Sequence, residues 1–220
     1  MSPDLADGLE VIHEDDALIA LNKPPGLLAV PGRGVDKSDS LSLRAQQRWP
    51  DARVVHRLDQ ATSGLMLLAR GAAVQRTLSV AFAERRILKR YQAIVHGQLQ
   101  PPNTDPMDWH TIDLPLRLDW PQRPRSIIDL ERGKPSQTLW QALAWDEAQN
   151  TTRLALQPVT GRSHQLRVHL QAIGHPIVGD ALYGPNEGGP ATRLMLHACT
   201  LALAHPASGA ALLLHSPVPF

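Results

Sequence analysis

His56-Arg57-Leu58-Asp59 directly follows an apolar pair, Val54-Val55, and runs on into Gln60-Ala61-Thr62-Ser63-Gly64. A buried carboxylate or guanidinium without a partner is strongly destabilising. These charges therefore belong either at a surface strand end or in a site that uses them. Asp59 stands at a turn, a position that suits a catalytic carboxylate and equally suits an aspartate capping backbone N–H groups. His56 could serve as a base or a metal ligand, but no second ligand-type residue stands at ligand spacing beside it.

A second dense polar block runs from Thr160 to His169, Thr-Gly-Arg-Ser-His-Gln-Leu-Arg-Val-His. Arg162 falls at the start of an expected helix, where the dipole is positive and a structural sequence would favour Asp or Glu. It calls for a compensating anion, either a phosphate or a carboxylate such as Asp59, unless it lies exposed on a loop. His164 and His169 are five positions apart, about 140° from a common helix face, whereas the zinc-binding helix motif requires four. The single cysteine, Cys199, excludes an intrachain disulfide and an all-cysteine zinc site. The chain lacks the G-x-S-x-G nucleophile elbow and both common phosphate-binding glycine motifs. A glycosidase pair of Asp59 and Asp180 has no support from spacing. What remains is a carboxylate with arginines around it, and no metal or cofactor is expected.

The elements that would carry these residues are mostly strands. Apolar or alternating runs predict strands at Ala17–Leu21, Val54-Val55, Leu65–Ala69, Tyr91–Val95, Leu194–Leu203 and Ala210–Leu214. Thr138–Trp145 and Arg153–Gln157 read as a hairpin. Helices are expected over Ser40–Trp49, capped by Ser38, Asp39 or Ser40 and stopped by Pro50, and over His164–Ile173, ended by Gly174. A third, Ala72–Arg86, places Val74, Leu78, Ala81 and Phe82 on one stripe and its arginines in the last turn. Pro101–Asp108 reads as an exposed loop. Many strands in hairpin order with few helices imply an α+β fold built on a largely antiparallel mixed sheet with flanking helices.

Two hundred and twenty residues suffice for a substantial core, and 43% hydrophobic with 20% charged residues is ordinary for a globular chain. No apolar run reaches the ~18–20 residues that span a bilayer, and the acidic start MSPDLADGLE is unlike a secretory signal. A cytoplasmic protein is expected. The net charge of +1 does not announce nucleic acid, yet Lys23, Lys37, Lys89 and Lys134 are the only lysines among twenty-two basic residues. The other eighteen are arginines, suited to phosphate and to stacking on bases, although GC-rich codon usage would give the same bias. They cluster at Arg85-Arg86 with Lys89-Arg90, and at Arg117, Arg123, Arg125 and Arg132.

HRLDQATSG resembles the H-R-L-D-x-x-T-S-G motif of the RluA family of pseudouridine synthases. Five further blocks match in the family's order: NKPPGLLAVPG from Asn22, LKRYQAIVHG from Leu88, KPSQT from Lys134, TGRSHQLRVHLQAIGHPIVGDALYG from Thr160 and LHACTLALAHP from Leu196. Pro25 and the stretch Arg125 to Asp129 depart from the pattern. The resemblance implies one catalytic domain over residues 1–220, with no separate N-terminal RNA-binding domain before the K-P-x-G block. DLPLRLDWPQRP, from Asp113, is similar to the compact dual-specificity member, which implies uridines in the tRNA anticodon loop and in a 23S rRNA hairpin.

The resemblance further implies that Asp59 is the essential carboxylate, attacking C1′ or removing a ribose proton. Arg162 should pair with it, and Tyr91 should stack on the target uracil. The target base must leave its stack, and Arg57 is placed to fill the vacancy. Arg85, Arg86, Lys89, Arg123 and Arg125 are expected on phosphates. Leu166 and Ile177, with Val178, would wall the pocket or simply pack in the core. No cofactor, membrane or protein partner is implied, and a monomer is expected. The rival functions are a non-catalytic RNA-binding protein and a glycosidase releasing free uracil.

Overall fold

The computed structural model describes residues 8–32, 34, 37–100, 108–185 and 193–220. The chain divides into two compact units, residues 1–89 with 198–219, and residues 90–197 with Phe220. Most of the loop expected at Pro101–Asp108 lies outside the described residues.

The first unit contains β1 (Glu10–Glu14), β2 (Leu18–Lys23), α1 (Leu41–Arg48), β3 (Ala52–Val54), β4 (Ser63–Arg70) and α2 (Gly71–Ala83). Its sheet is completed by most of β11 (Leu196–Ala204) and by β12 (Ala211–His215). β1, β2 and β4 follow one another in antiparallel register, β3 pairs with the end of β4, and β12 pairs with β11. β2 and β4 are apolar at nearly every position because both of their faces are covered. Leu18, Ala20, Leu65 and Leu67 pack with Leu78 and Ala81 of α2. Ile19, Leu21, Met66 and Leu68 pack with Leu41 and Ala45 of α1. Ser40 caps α1, its Oγ accepting the Leu43 N–H at 3.3 Å.

α2 ends earlier than its sequence suggests. It stops at Ala83, so the arginines expected in its last turn lie beyond it. Arg85 adopts a left-handed φ of 60°, and Arg86 pairs with Glu84 at 2.7 Å. The apolar stripe does continue to the buried Ile87, but on irregular backbone.

Gly64 opens β4 at φ +113°, and a Cβ there would lie 2.3 Å from the Ala198 carbonyl oxygen of β11. Only glycine fits, because any side chain meets backbone that cannot swing aside. Gly64→Ala is expected to destabilise the protein by about 3 kcal/mol or more, combining backbone strain with overpacking. A urea unfolding curve checks this.

The second unit contains β5 (Leu88–His96), β6 (His110–Asp113), β7 (Leu116–Leu118), β8 (Ser126–Ile128), β9 (Gln137–Asp146), β10 (Thr151–Pro158) and α3 (Gln165–Ala172). β5, β10, β9 and β6 are neighbours in that order, all antiparallel. β9 and β10 form the expected hairpin. β7 and β8 make a separate two-stranded ribbon, Leu116 opposite Ile128. Leu116 packs with Val168 of α3 and with Tyr183. The strand pairings described above are all antiparallel, and an isolated bridge pairs Leu28 with Ser40 in parallel sense. The architecture is the α+β, largely antiparallel fold that the pattern implies.

Candidate active site

In the first unit, the segment from His56 to Thr62 links β3 to β4 and carries Asp59 at its bend. Leu58 is buried and anchors it, with Arg57 exposed on one side and Asp59 half-buried on the other. The Asp59 carbonyl accepts the Thr62 N–H at 3.1 Å, closing a turn. The next residue is held from a distance. β2 ends on Lys23, fully buried, whose Nζ donates to the carbonyls of Pro24 at 2.8 Å, Leu27 at 2.8 Å and Gln60 at 3.0 Å. Gln60 also accepts the Gly26 N–H at 2.9 Å and returns a bond from its Nε2 to the Gly26 carbonyl at 2.9 Å. The NKPPG turn, with Gly26 at φ +86°, is thus the brace of the Asp59 turn. Two blocks far apart in sequence thus meet in one piece of structure.

His56 has a structural task. Its Nε2 accepts the Leu67 N–H of β4 at 2.8 Å, next to the last β3 pair, Val54 with Leu68. The imidazole takes over as a strand partner where β3 ends, and it stacks on Phe82 of α2 at 4.5 Å between centroids. Burial, and then the charge of Lys89, push its pKa down to about 3, so the ring is neutral and its proton sits on Nδ1.

This makes a prediction for stability. The folded pKa lies below the ordinary 6.5, so the contribution of His56 is complete above pH 6.5 and is lost as pH falls towards 3. Between pH 7.5 and 5.0 the loss is at most about 2 kcal/mol. His56→Gln keeps an acceptor for Leu67 without titrating. The stability difference between wild type and this variant should shift against wild type by that amount, measured by urea unfolding at the two pH values.

Arg85 and Arg86 are exposed beyond α2, and Lys89 is half-buried. Burial, then the charge of Arg85, lower the Lys89 pKa. The basic cluster is therefore a close-set group in which one member is partly desolvated.

In the second unit, Tyr91 lies on β5 opposite Leu156 of β10, half-buried at one end of a face that continues into the fully buried Ala93 and Val95. Arg162 is exposed in the turn ahead of α3. The helix begins at Gln165, later than expected, because His164 at its N-cap is left-handed, φ 56°. Arg162 therefore precedes the first helical turn instead of occupying it.

Gln165, which the sequence did not single out, organises that turn. Its Oε1 accepts from the Thr160 hydroxyl at 2.7 Å and the Arg162 N–H at 3.1 Å. Its Nε2 donates to the Gln137 carbonyl at 2.9 Å and to Thr138 Oγ1 at 3.0 Å. His169 extends the network. Its Nε2 donates to the Leu114 carbonyl at 2.9 Å, which leaves Nδ1 to accept from the Thr138 hydroxyl at 3.0 Å. Burial lowers the pKa of His169, consistent with that neutral form. Both histidines in this block are thus bound to protein groups, His164 through Nδ1 to the Tyr183 hydroxyl at 2.8 Å.

Asp180 is committed elsewhere than to glycosidase chemistry. Arg167 Nε and Nη2 grip its two oxygens at 2.7 Å each, and both side chains are buried. Burial raises the pKa of Asp180, but the hydrogen bonds and charge of Arg167, with the N–H groups of Leu182 and Tyr183, outweigh it and hold it below the usual range. Leu166 and Ile177 are buried, and Ile177 forms a bridge with Val95. Arg123 and Arg125 lie on the β7–β8 hairpin, Arg123 exposed and Arg125 half-buried. Among the described residues no group of three or more His, Cys, Asp or Glu is arranged to hold a metal, and no helix is long and apolar enough to cross a membrane.

Neither Gln165 nor Arg167 stands out from the polar block around it in the sequence. A polar run at the start of a helix usually faces solvent, whereas here both side chains are buried, Gln165 on Thr160, Gln137 and Thr138 and Arg167 on Asp180.

The chain is similar throughout its length to proteins of one kind. A family model described as RNA pseudouridylate synthase matches residues 17–172. The dual-specificity RNA pseudouridine synthase RluA of Escherichia coli K12 is 44% identical over 213 residues, 96% of this chain and 94% of that protein. Its namesake from Vibrio parahaemolyticus is 46% identical over 203 residues, 90% of this chain and 79% of that one. Among solved structures, human RNA pseudouridylate synthase domain containing 1 superposes with a TM-score of 0.79 at 30% identity, covering 100% of this chain and 87% of the human one. Human RNA pseudouridylate synthase domain containing 4 gives 0.75 at 26% identity, covering 98% and 91%. A family model over most of the chain, relatives alike over nearly its whole length and a fold shared with these enzymes lead to one conclusion: the chain belongs to the RNA pseudouridylate synthase family.

Proposed function

We propose that this RNA pseudouridine synthase acts on uridines of the tRNA anticodon loop and of a 23S rRNA hairpin, in the cytoplasm, as a monomer without cofactor. The observation that carries the reading is the 44% identity over 96% of the chain to a synthase named as dual-specificity. The DLPLRLDWPQRP segment, Asp113 to Pro124, supports it at the level of local sequence.

The reaction is an isomerisation. The uracil N1–C1′ bond breaks, the base turns, C5 bonds to C1′, and the C5 proton is lost while N1 gains one. No electrons enter or leave. In this proposal Asp59 works at C1′ or on a ribose proton, and Tyr91 and Arg162 keep the roles that the family resemblance implies for them. Arg57 manages the strand around the extruded nucleotide, and Arg85, Arg86, Lys89, Arg123 and Arg125 bind phosphates. Leu166 and Ile177 wall the pocket, and the whole chain is one catalytic domain.

Incubating the protein with an anticodon stem–loop transcript and a 23S hairpin transcript tests the substrates. Carbodiimide-blocked reverse transcription should give new stops in both. Stops in one RNA only would remove the dual assignment, and stops in neither would overturn the substrate reading.

A further inference from the structure

The β7–β8 hairpin carries an exposed aromatic at its tip that the chemistry does not use. Trp120 is 65% exposed in the loop that joins Leu118 to Ser126. The guanidinium of Arg123 lies over its ring, 4.7 Å from the centroid, and Arg123 Nε donates to the Trp120 carbonyl at 3.1 Å. The tip is held in shape at its root. The Asp119 N–H donates to the Arg125 carbonyl at 2.9 Å, and the Ser126 N–H donates to the Tyr183 hydroxyl at 2.7 Å. Arg125 Nη2 also donates to the Leu182 carbonyl. These bonds fix the root of the loop, and Arg123 covers one face of the indole.

The charges of the hairpin are not equivalent. Arg117 is neutralised by Asp129, whereas Arg123 and Arg125 form no ion pair with a carboxylate among the described residues. The tip therefore combines an exposed indole with the guanidinium of Arg123, and Arg125 at its root adds a second cation without a carboxylate partner among the described residues. An indole offers a flat face to any nucleobase, and arginine adds cation–π contact and phosphate attraction, the combination by which proteins hold unpaired nucleotides. A protein partner would be expected to bury an apolar patch, but the residues around the indole from Pro121 to Pro124 are exposed and include Gln122 and Arg123.

We propose that the tip of this hairpin is a stacking platform for an unpaired base of the RNA substrate, with Trp120 under the base and Arg123 and Arg125 on its flanking phosphates. The site rests on the reading of the chain as an enzyme of structured RNA, but it concerns binding and not the chemical step. Stacking on one aromatic is typically worth about tenfold in affinity.

The test is fluorescence anisotropy with an end-labelled anticodon stem–loop RNA and with a fully paired RNA duplex of equal length. Trp120→Ala should weaken stem–loop binding roughly tenfold and leave duplex binding nearly unchanged, and Trp120→Phe should restore most of the loss. Leu130→Ala, at a 77% exposed residue outside the tip, controls for surface change. Quenching of tryptophan emission by the stem–loop should be smaller in Trp120→Phe than in wild type. Equal losses for both RNAs would reduce the tip to a phosphate contact and overturn the stacking proposal. Unchanged affinity for both would overturn RNA contact altogether and leave the indole for a protein. Because binding is read without turnover, a failure here is distinguishable from failure to form pseudouridine.

Discussion

Asp59→Asn is expected to abolish pseudouridine formation while leaving the fold intact. The asparagine is nearly isosteric and leaves in place the main-chain bonds that close the turn. Thr62 donates to the Asp59 carbonyl, and Lys23 and Gly26 donate to that of Gln60. An amide neither attacks C1′ nor removes a ribose proton at a useful rate. Loss of a residue that takes part in bond making typically costs at least about a thousandfold in rate, so single-turnover assays on the stem–loop RNA should fall by that factor or more. Urea unfolding of the variant should match wild type within about 1 kcal/mol, the usual range for a substitution that creates no cavity and strands no buried charge. Undiminished modification would remove Asp59 from the chemistry.

Arg167→Met is expected to destabilise the protein by about 3–5 kcal/mol, because it strands Asp180 as a buried charge. Asp180 is nearly without exposed surface, and its Oδ1 also accepts the Leu182 and Tyr183 N–H groups at 2.9 and 3.1 Å. Those bonds fix the loop that carries Tyr183, whose ring lies 5.1 Å from the Arg167 guanidinium and whose hydroxyl meets Ser126 and His164. The damage should therefore reach both the hairpin root and the start of α3. Removing the pair together, as Arg167→Met with Asp180→Leu, should recover much of the loss, since no unpaired charge remains. Chemical denaturation of the two variants decides it. A double variant no more stable than the single one would show that the pair matters through its hydrogen-bonded loop and not through its charge.

The strands that cross the interior of each unit were legible because they hold a continuous apolar run, as β4 does from Leu65 to Ala69, or alternate cleanly, as β10 does. β7 and β8 were not. Each has three residues, and prolines and charges surround them, so periodicity has too short a window to register. The division into two units was equally hidden. Its boundaries, at 89/90 and 197/198, fall inside β5 and β11, where no Pro- or Gly-rich linker marks them. Asp59 and Arg162 stood out by residue type as candidates, each with a plain structural alternative, but the pieces that hold their turns did not stand out. Lys23 and Gln165 act through buried hydrogen bonds to backbone, and a single sequence does not distinguish an inward-turned polar side chain from a solvated one.

Gly64 has a consequence for how this protein is made. The atom that forbids a side chain there belongs to Ala198, a residue translated long after β4. The first 89 residues leave the ribosome with the β4 edge that β11 will cover still open, and all of the second unit must be synthesised before the covering strand exists. An open apolar edge is an invitation to mispairing, and closure over so long a stretch of chain is slow. The strand headed by the Asp59 turn thus acquires this neighbour only after the whole second unit has been made, so chains that stop short of β11 would carry the motif without the finished sheet around it.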